Sequence, residues 1–171
     1  MKKITSLLLC FALSVSLIGC DSTGSDIEKP VNFYYRSSVM EYGSEYGIMV
    51  NETYEAIGYE DDYAQLTQEY LKGPTTDACV NPFPENIQVK QLDLLKGKVS
   101  VVLSDELSDL KGAELTIACV CLAKTLLEMT GLDAVTISAD GALLDGEQSI
   151  TLGKHDFILD NNSATLPDHL E

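Results

Sequence analysis

The chain has 171 residues, 45% of them hydrophobic, and a formal net charge of −16. That length holds one ordinary domain with short attachments. Such acidity excludes a sequence-independent nucleic-acid binder, whose affinity comes from Lys and Arg neutralising phosphates, and it disfavours electrostatic adhesion to anionic lipid.

Met1, Lys2 and Lys3 make a basic start, and an apolar run over residues 7–18 follows it. This is the layout of a secretory signal, and the run falls short of the roughly 20 residues that a membrane-spanning helix needs. It stops at Leu17-Ile18-Gly19-Cys20, which resembles the bacterial lipobox, where a diacylglycerol is joined to a cysteine and the signal is cut just before it. Residues 1–19 are therefore expected to be a signal peptide, Cys20 the lipid attachment point, and residues 20–29 a polar tether. Cleavage there removes Lys2 and Lys3 and no acid, which takes the formal charge from −16 to −18. The expected location is the outer face of the cytoplasmic membrane, held by lipid and not by a spanning helix.

Val31, Phe33 and Tyr35 alternate with Asn32 and Tyr34, the pattern of a strand with one covered face. A turn over residues 42–47 leads to a second β-rich segment from Ile48 towards Ile57. The tyrosines between residues 34 and 70 fit a pleated, half-buried surface, and the sharper alternative is a platform on which sugars stack. Over residues 61–72, Tyr63, Leu66, Tyr70 and Leu71 follow helical spacing, with Asp61 and Asp62 at the end where the helix dipole favours acids. Gly73 suits the close of that helix, and Pro74 forbids its continuation.

Residues 75–84 then cross as a loop, and Pro84 restrains the approach to a strand through Ile87 and Val89. Leu92 and Leu94 shift the alternation, as a bulge or an early strand end would. Lys96-Gly97 turns the chain into Val99, Val101 and Leu103, which completes a hairpin. A second helix over residues 113–130 is apolar on more than one side, so it should be covered on more than one side. After Gly131 come a strand at residues 133–138, turns at Asp140-Gly141 and Asp145-Gly146, and a short strand at residues 148–152. Residues 162–171 read as a polar tail.

In this order the segments resemble the GerMN domain of sporulation and spore-germination proteins, over residues 30–161. Val31-Asn32-Phe33-Tyr34-Tyr35, Leu71-Lys72-Gly73-Pro74, Pro84-Glu85-Asn86-Ile87, the Val99–Ser104 segment with Asp105-Glu106, Thr125-Leu126-Leu127 and the strand from Val135 to Gly141 carry the likeness. Val102 stands where the family often has an acidic or amide residue. The resemblance implies a single mixed-sheet α/β domain with two main helices, in the order ββαββαβ(β), similar to small ring-building modules. It also implies a binding or assembly role with an envelope protein partner, without established catalysis.

The residues that could carry chemistry are few. Cys79, Cys119 and Cys121 remain outside the signal and lipobox, an odd number. Cys119 and Cys121 lie two apart on a helix and point in different directions, so they read as small buried apolar residues, with a link from Cys79 to one of them left open. Only His155 and His169 could add imidazole, and zinc is poorly supported. His155-Asp156 is a His–acid neighbour pair, which is not by itself a triad. Glu60-Asp61-Asp62, Asp105-Glu106-Asp109 and Asp140 with Asp145 could hold calcium, but helix starts and turns explain such acids as well, and no EF-hand spacing is present. The expected site list is therefore Cys20 for lipid, with no catalytic residue, cofactor or metal. Two alternatives are a peptidoglycan-binding module that uses the tyrosine-rich first third, and a wall hydrolase. The loop at residues 75–83 reads as a device that turns the chain and could also contact a partner.

Overall fold

The computed structural model describes residues 30–39, 48–56, 58–59 and 62–157. Cys20, the signal, the tether, the tail, the turn at residues 42–47, Glu60, Asp61 and His169 lie outside them. Strand β1 (Pro30–Ser37) buries Phe33, Tyr35 and Ser37 on one face, the period-two pattern expected of it. It pairs antiparallel along its length with β2 (Met49–Glu55), with Phe33 opposite Glu52.

Helix α1 (Tyr63–Leu71) starts at Asp62, whose carboxylate accepts from the Gln65 N–H at 3.0 Å and so satisfies one of the unpaired N–H groups of the first turn. Lys72 caps its far end. Gly73 follows at φ 103°, beyond the reach of ordinary L side chains, and its N–H returns to the Tyr70 carbonyl at 3.1 Å.

The chain then runs back beside β1 as a two-residue strand, β3 (Cys79–Val80), paired at Arg36 and Ser37. Next comes the hairpin of β4 (Val89–Leu95) and β5 (Lys98–Leu103), with the expected register shift between Val89 and Gln91. A 3-10 turn (Asp105–Asp109) leads into α2 (Gly112–Thr130), which ends at Gly131 in the left-handed region. The helix returns the chain to β6 (Ala134–Ala139), which lies parallel to β5, a pairing that needs a crossover of this kind. Finally β7 (Ile150–Gly153) pairs antiparallel with β6.

The mixed α/β class with two helices is as the sequence implies. The strands, however, form two hydrogen-bonded sheets, β2-β1-β3 and β4-β5-β6-β7, where one mixed sheet was expected, and β3 is an addition to the expected order. The cause lies at the edge of β1. There the Tyr34 N–H donates to the Thr125 hydroxyl at 2.9 Å, and the Tyr34 carbonyl accepts from the Tyr70 hydroxyl at 2.6 Å. Side chains from the two helices thus occupy backbone groups that a neighbouring strand would have used.

Helix α2 lies in the centre, covered on more than one side as its apolar pattern requires. Leu115, Ala118, Cys119, Leu122, Leu126 and Leu127 join one core with Val99, Val101 and Leu103 of β5 and Val135 and Ile137 of β6. Phe33, Tyr35 and Tyr70 extend that core towards α1.

Candidate functional site

Two of the tyrosines between residues 34 and 70, Tyr35 and Tyr70, are structural. Tyr70 is fully buried and Tyr35 is 1% exposed. Tyr70 stacks on Tyr35 at 5.0 Å between ring centres and meets Phe33 at 5.2 Å and Phe83 edge-on at 5.4 Å. A ring enclosed in this way offers no face to a sugar. Burial pushes the Tyr70 phenol well above its ordinary range, and a hydrogen bond with Thr125 offsets this in part.

The other sequence candidates also have structural positions. Cys79, Cys119 and Cys121 are buried free thiols. Burial raises Cys119 and Cys121 to about 12, with the Arg36 charge pulling Cys121 slightly the other way. Asp156 accepts from the Gly153 N–H at 2.7 Å and so closes the turn after β7, where His155 is exposed. Asp145 accepts from the Gly112 N–H at 2.9 Å at the start of α2, with Lys111 at 3.9 Å from its other oxygen. Glu106 is held below the usual carboxylate range, chiefly by a hydrogen bond from Ser104. Asp140 is exposed in a turn. Among the described residues no group of three or more His, Cys, Asp or Glu side chains is arranged to hold a metal ion.

The loop after α1 turns the chain and also makes a surface. Thr75 is tied to β2 through Glu52, which accepts from its backbone N–H at 2.9 Å and from its hydroxyl. The Asn81 amide donates to the Leu71 carbonyl at 3.3 Å, and its oxygen accepts from the Phe83 N–H at 3.2 Å. Phe83 is buried against Tyr70, and Pro82 and Pro84 have fixed φ. Gln68 of α1 anchors the loop's far end, donating to the Ile87 carbonyl at 3.2 Å and accepting from the Val89 N–H at 2.8 Å.

So fixed, the segment 81–84 separates two hollows. One, of about 740 Å³, runs over Gln68, Leu71 and Lys72 towards Asn86 and Gln88. The other, of about 230 Å³, lies between the loop and the first turns of α2, where Leu110, Glu114 and Ile117 face Pro82, Phe83 and Pro84. Arg36 lines this smaller cavity. It is the sole arginine of the sequence, and its Nε is buried with no hydrogen-bond partner among the described residues. Sequence reading missed it, although one available signal was a lone arginine on a strand whose alternate residues face the core.

The domain carries no helix, among the described residues, that is long and apolar enough to cross a membrane. No curated protein sequence matches the chain. Among solved structures, GerMN domains share its fold. The first GerMN domain of the sporulation protein GerM from Bacillus subtilis aligns with a TM-score of 0.55 at 18% identity, over 70% of this chain and 91% of that one. The tandem GerMN domains of the same protein align with a TM-score of 0.52 at 20% identity, over 70% of this chain and 43% of that one, so this chain spans less than half of the tandem pair. A family model described as Germane, sporulation and spore germination, matches residues 32–145, more than half of the 171-residue chain. The chain therefore belongs to the Germane family of sporulation and spore germination domains.

Proposed function

We propose that this protein is a lipid-anchored envelope component of sporulation or spore germination. In this reading Cys20 holds it at the outer face of the cytoplasmic membrane, and its domain acts without catalysis by docking a protein partner beside the segment 81–84. The observation that carries the docking is that this segment is fixed at Asn81 and Phe83, is followed by an anchor at Ile87 and Val89, and walls two hollows. A surface that is ordered before it meets a partner loses less entropy on binding. The Leu17-Ile18-Gly19-Cys20 sequence supports the anchor. The family match supports the process, by analogy only.

In-cell crosslinking from a photoreactive residue at Pro82, with mass identification of adducts, tests the docking. Adducts with an envelope protein are expected, and adducts confined to peptidoglycan would replace this reading with a wall-binding one. For the anchor, Cys20→Ala should release the protein from the membrane fraction. Full retention would remove that part of the proposal.

A further inference from the structure

Arg36 lies on the face of β1 that also carries Asn32 and Tyr34. Those two turn to α2, where the Glu128 carboxylate accepts from the Asn32 amide and from the Tyr34 hydroxyl, each at 2.5 Å. Further along the strand, the charge of Arg36 acts on the Cys121 thiol of α2. Its side chain meets no carboxylate within ion-pair distance among the described residues. The guanidinium has five N–H donors and stays charged, and leaving one of them buried without an acceptor is costly. Native proteins keep few such groups.

From this arrangement we infer that the cavity between the segment 81–84 and α2 receives a carboxylate-bearing segment of a protein partner, with Arg36 as the group that recognises the carboxylate. This rests on the docking function proposed above. Three observations select the occupant. At about 230 Å³ the cavity is smaller than small-molecule sites, which run to about 300–1,000 Å³, so it fits one side chain or chain end. Pro82, Phe83, Pro84, Leu110 and Ile117 supply its apolar liners, and the Asn81 amide is already committed to the loop. The remaining polar liner, Glu114, is exposed on the first turn of α2. In a strongly acidic chain, that second carboxylate disfavours a doubly charged phosphate more than a singly charged carboxylate. A guanidinium fork also matches a carboxylate through two parallel hydrogen bonds.

With one arginine in the sequence, the Nε–H of Arg36 gives a single nitrogen resonance in the full chain, purified in detergent micelles. The probes are the capped tripeptide acetyl-Leu-Asp-Leu-amide, its Asn counterpart, and inorganic phosphate. The Asp peptide should shift the Arg36 Nε–H and the Phe83 amide. The Asn peptide should bind at least about tenfold more weakly, a difference of about 1.4 kcal/mol. Arg36→Gln should abolish the shift at Phe83 while leaving the α2 amide pattern intact, and Arg36→Lys should keep part of the affinity as a point charge. Equal binding of the two peptides, preference for phosphate, undiminished binding by Arg36→Gln, or no shift with any probe would each overturn the inference. Protein adducts from Pro82 in cells together with a failed titration would leave the docking function standing and remove the role of Arg36. A successful titration without protein adducts would do the reverse.

Discussion

The hydroxyl of Tyr70 donates to the backbone carbonyl of Tyr34 at 2.6 Å, across 36 residues of chain. In return the hydroxyl of Tyr35 donates to the Tyr70 carbonyl at 3.0 Å, so helix α1 and strand β1 are clasped twice through neighbouring residues. Tyr70→Phe keeps the ring contacts and removes the hydrogen bond to the Tyr34 carbonyl. It should destabilise the domain by about 0.5–1.5 kcal/mol, the net worth of a typical intramolecular hydrogen bond. Tyr70→Ala, which also empties the space between Tyr35, Phe33 and Phe83, should cost about 3–5 kcal/mol. Urea unfolding followed by circular dichroism measures both, and a Tyr70→Phe midpoint equal to the parent's would show that the clasp contributes nothing.

Gly73 gives a second prediction, at the stop signal of α1. Its φ of 103° is strained for any L side chain, and a Cβ placed there would lie 3.0 Å from the Asn81 amide nitrogen. Pro74 follows directly and restricts the backbone further. Gly73→Ala should therefore cost about 1–2 kcal/mol from conformation alone. It should also disturb the bond from Asn81 to the Leu71 carbonyl, which positions the segment 81–84. Greater protease sensitivity near residues 75–84, with α2 still protected from hydrogen exchange, is the expected pattern. Uniform loss of protection would mean that Gly73 supports the whole fold and not the loop.

What was legible in the sequence is what local periodicity encodes. Phe33 and Tyr35 mark a covered strand face, Asp62 and Gly73-Pro74 bracket α1, and the displaced Leu92 shows the bulge. The hidden features are made by residues far apart in the chain. Thr125 and Tyr70 close the edge of β1 from 91 and 36 residues away, and no repeat in the sequence could signal that the strands divide into two sheets. The Arg36 cavity likewise needs residues 36, 81–84 and 110–117 to meet. Strand β3 is two residues long, too short for an alternation to show.

Asp145 illustrates the same limit and carries a third prediction. Read locally, it belongs to an Asp-Gly turn with φ of 49°; in the fold, its carboxylate accepts from the first N–H of α2, 33 residues back. Asp145→Asn keeps an acceptor and tolerates positive φ, so it should cost a few tenths of a kcal/mol. Asp145→Ala loses the cap and is strained, and should cost about 1–3 kcal/mol. A cap of this kind has no need of metal, so millimolar calcium should leave the melting temperature of the parent unchanged. A rise of several degrees would restore a calcium role to Asp140 and Asp145.

The buried thiols make stability depend on pH in a defined direction. Cys119 and Cys121 are raised by burial to about 12 from an ordinary value of 9.0, while in the unfolded chain they titrate near that ordinary value. Above about pH 9 the unfolded state loses these protons and the folded state keeps them, so the folded state binds more protons and stability falls as pH rises. Each thiol adds a slope of about 1.4 kcal/mol per pH unit once its unfolded form is ionised. Tyr70, also raised by burial, joins above about pH 10. Urea midpoints should thus be level between pH 6 and 8, where neither thiol titrates in either state, and should decline from about pH 9 in the presence of a reductant. In Cys119→Ala/Cys121→Ala the decline should begin about one pH unit higher, where the tyrosines act alone. An onset unmoved by the double substitution would mean that the thiols ionise alike in the folded and unfolded chain, and that their burial on α2 does not raise them.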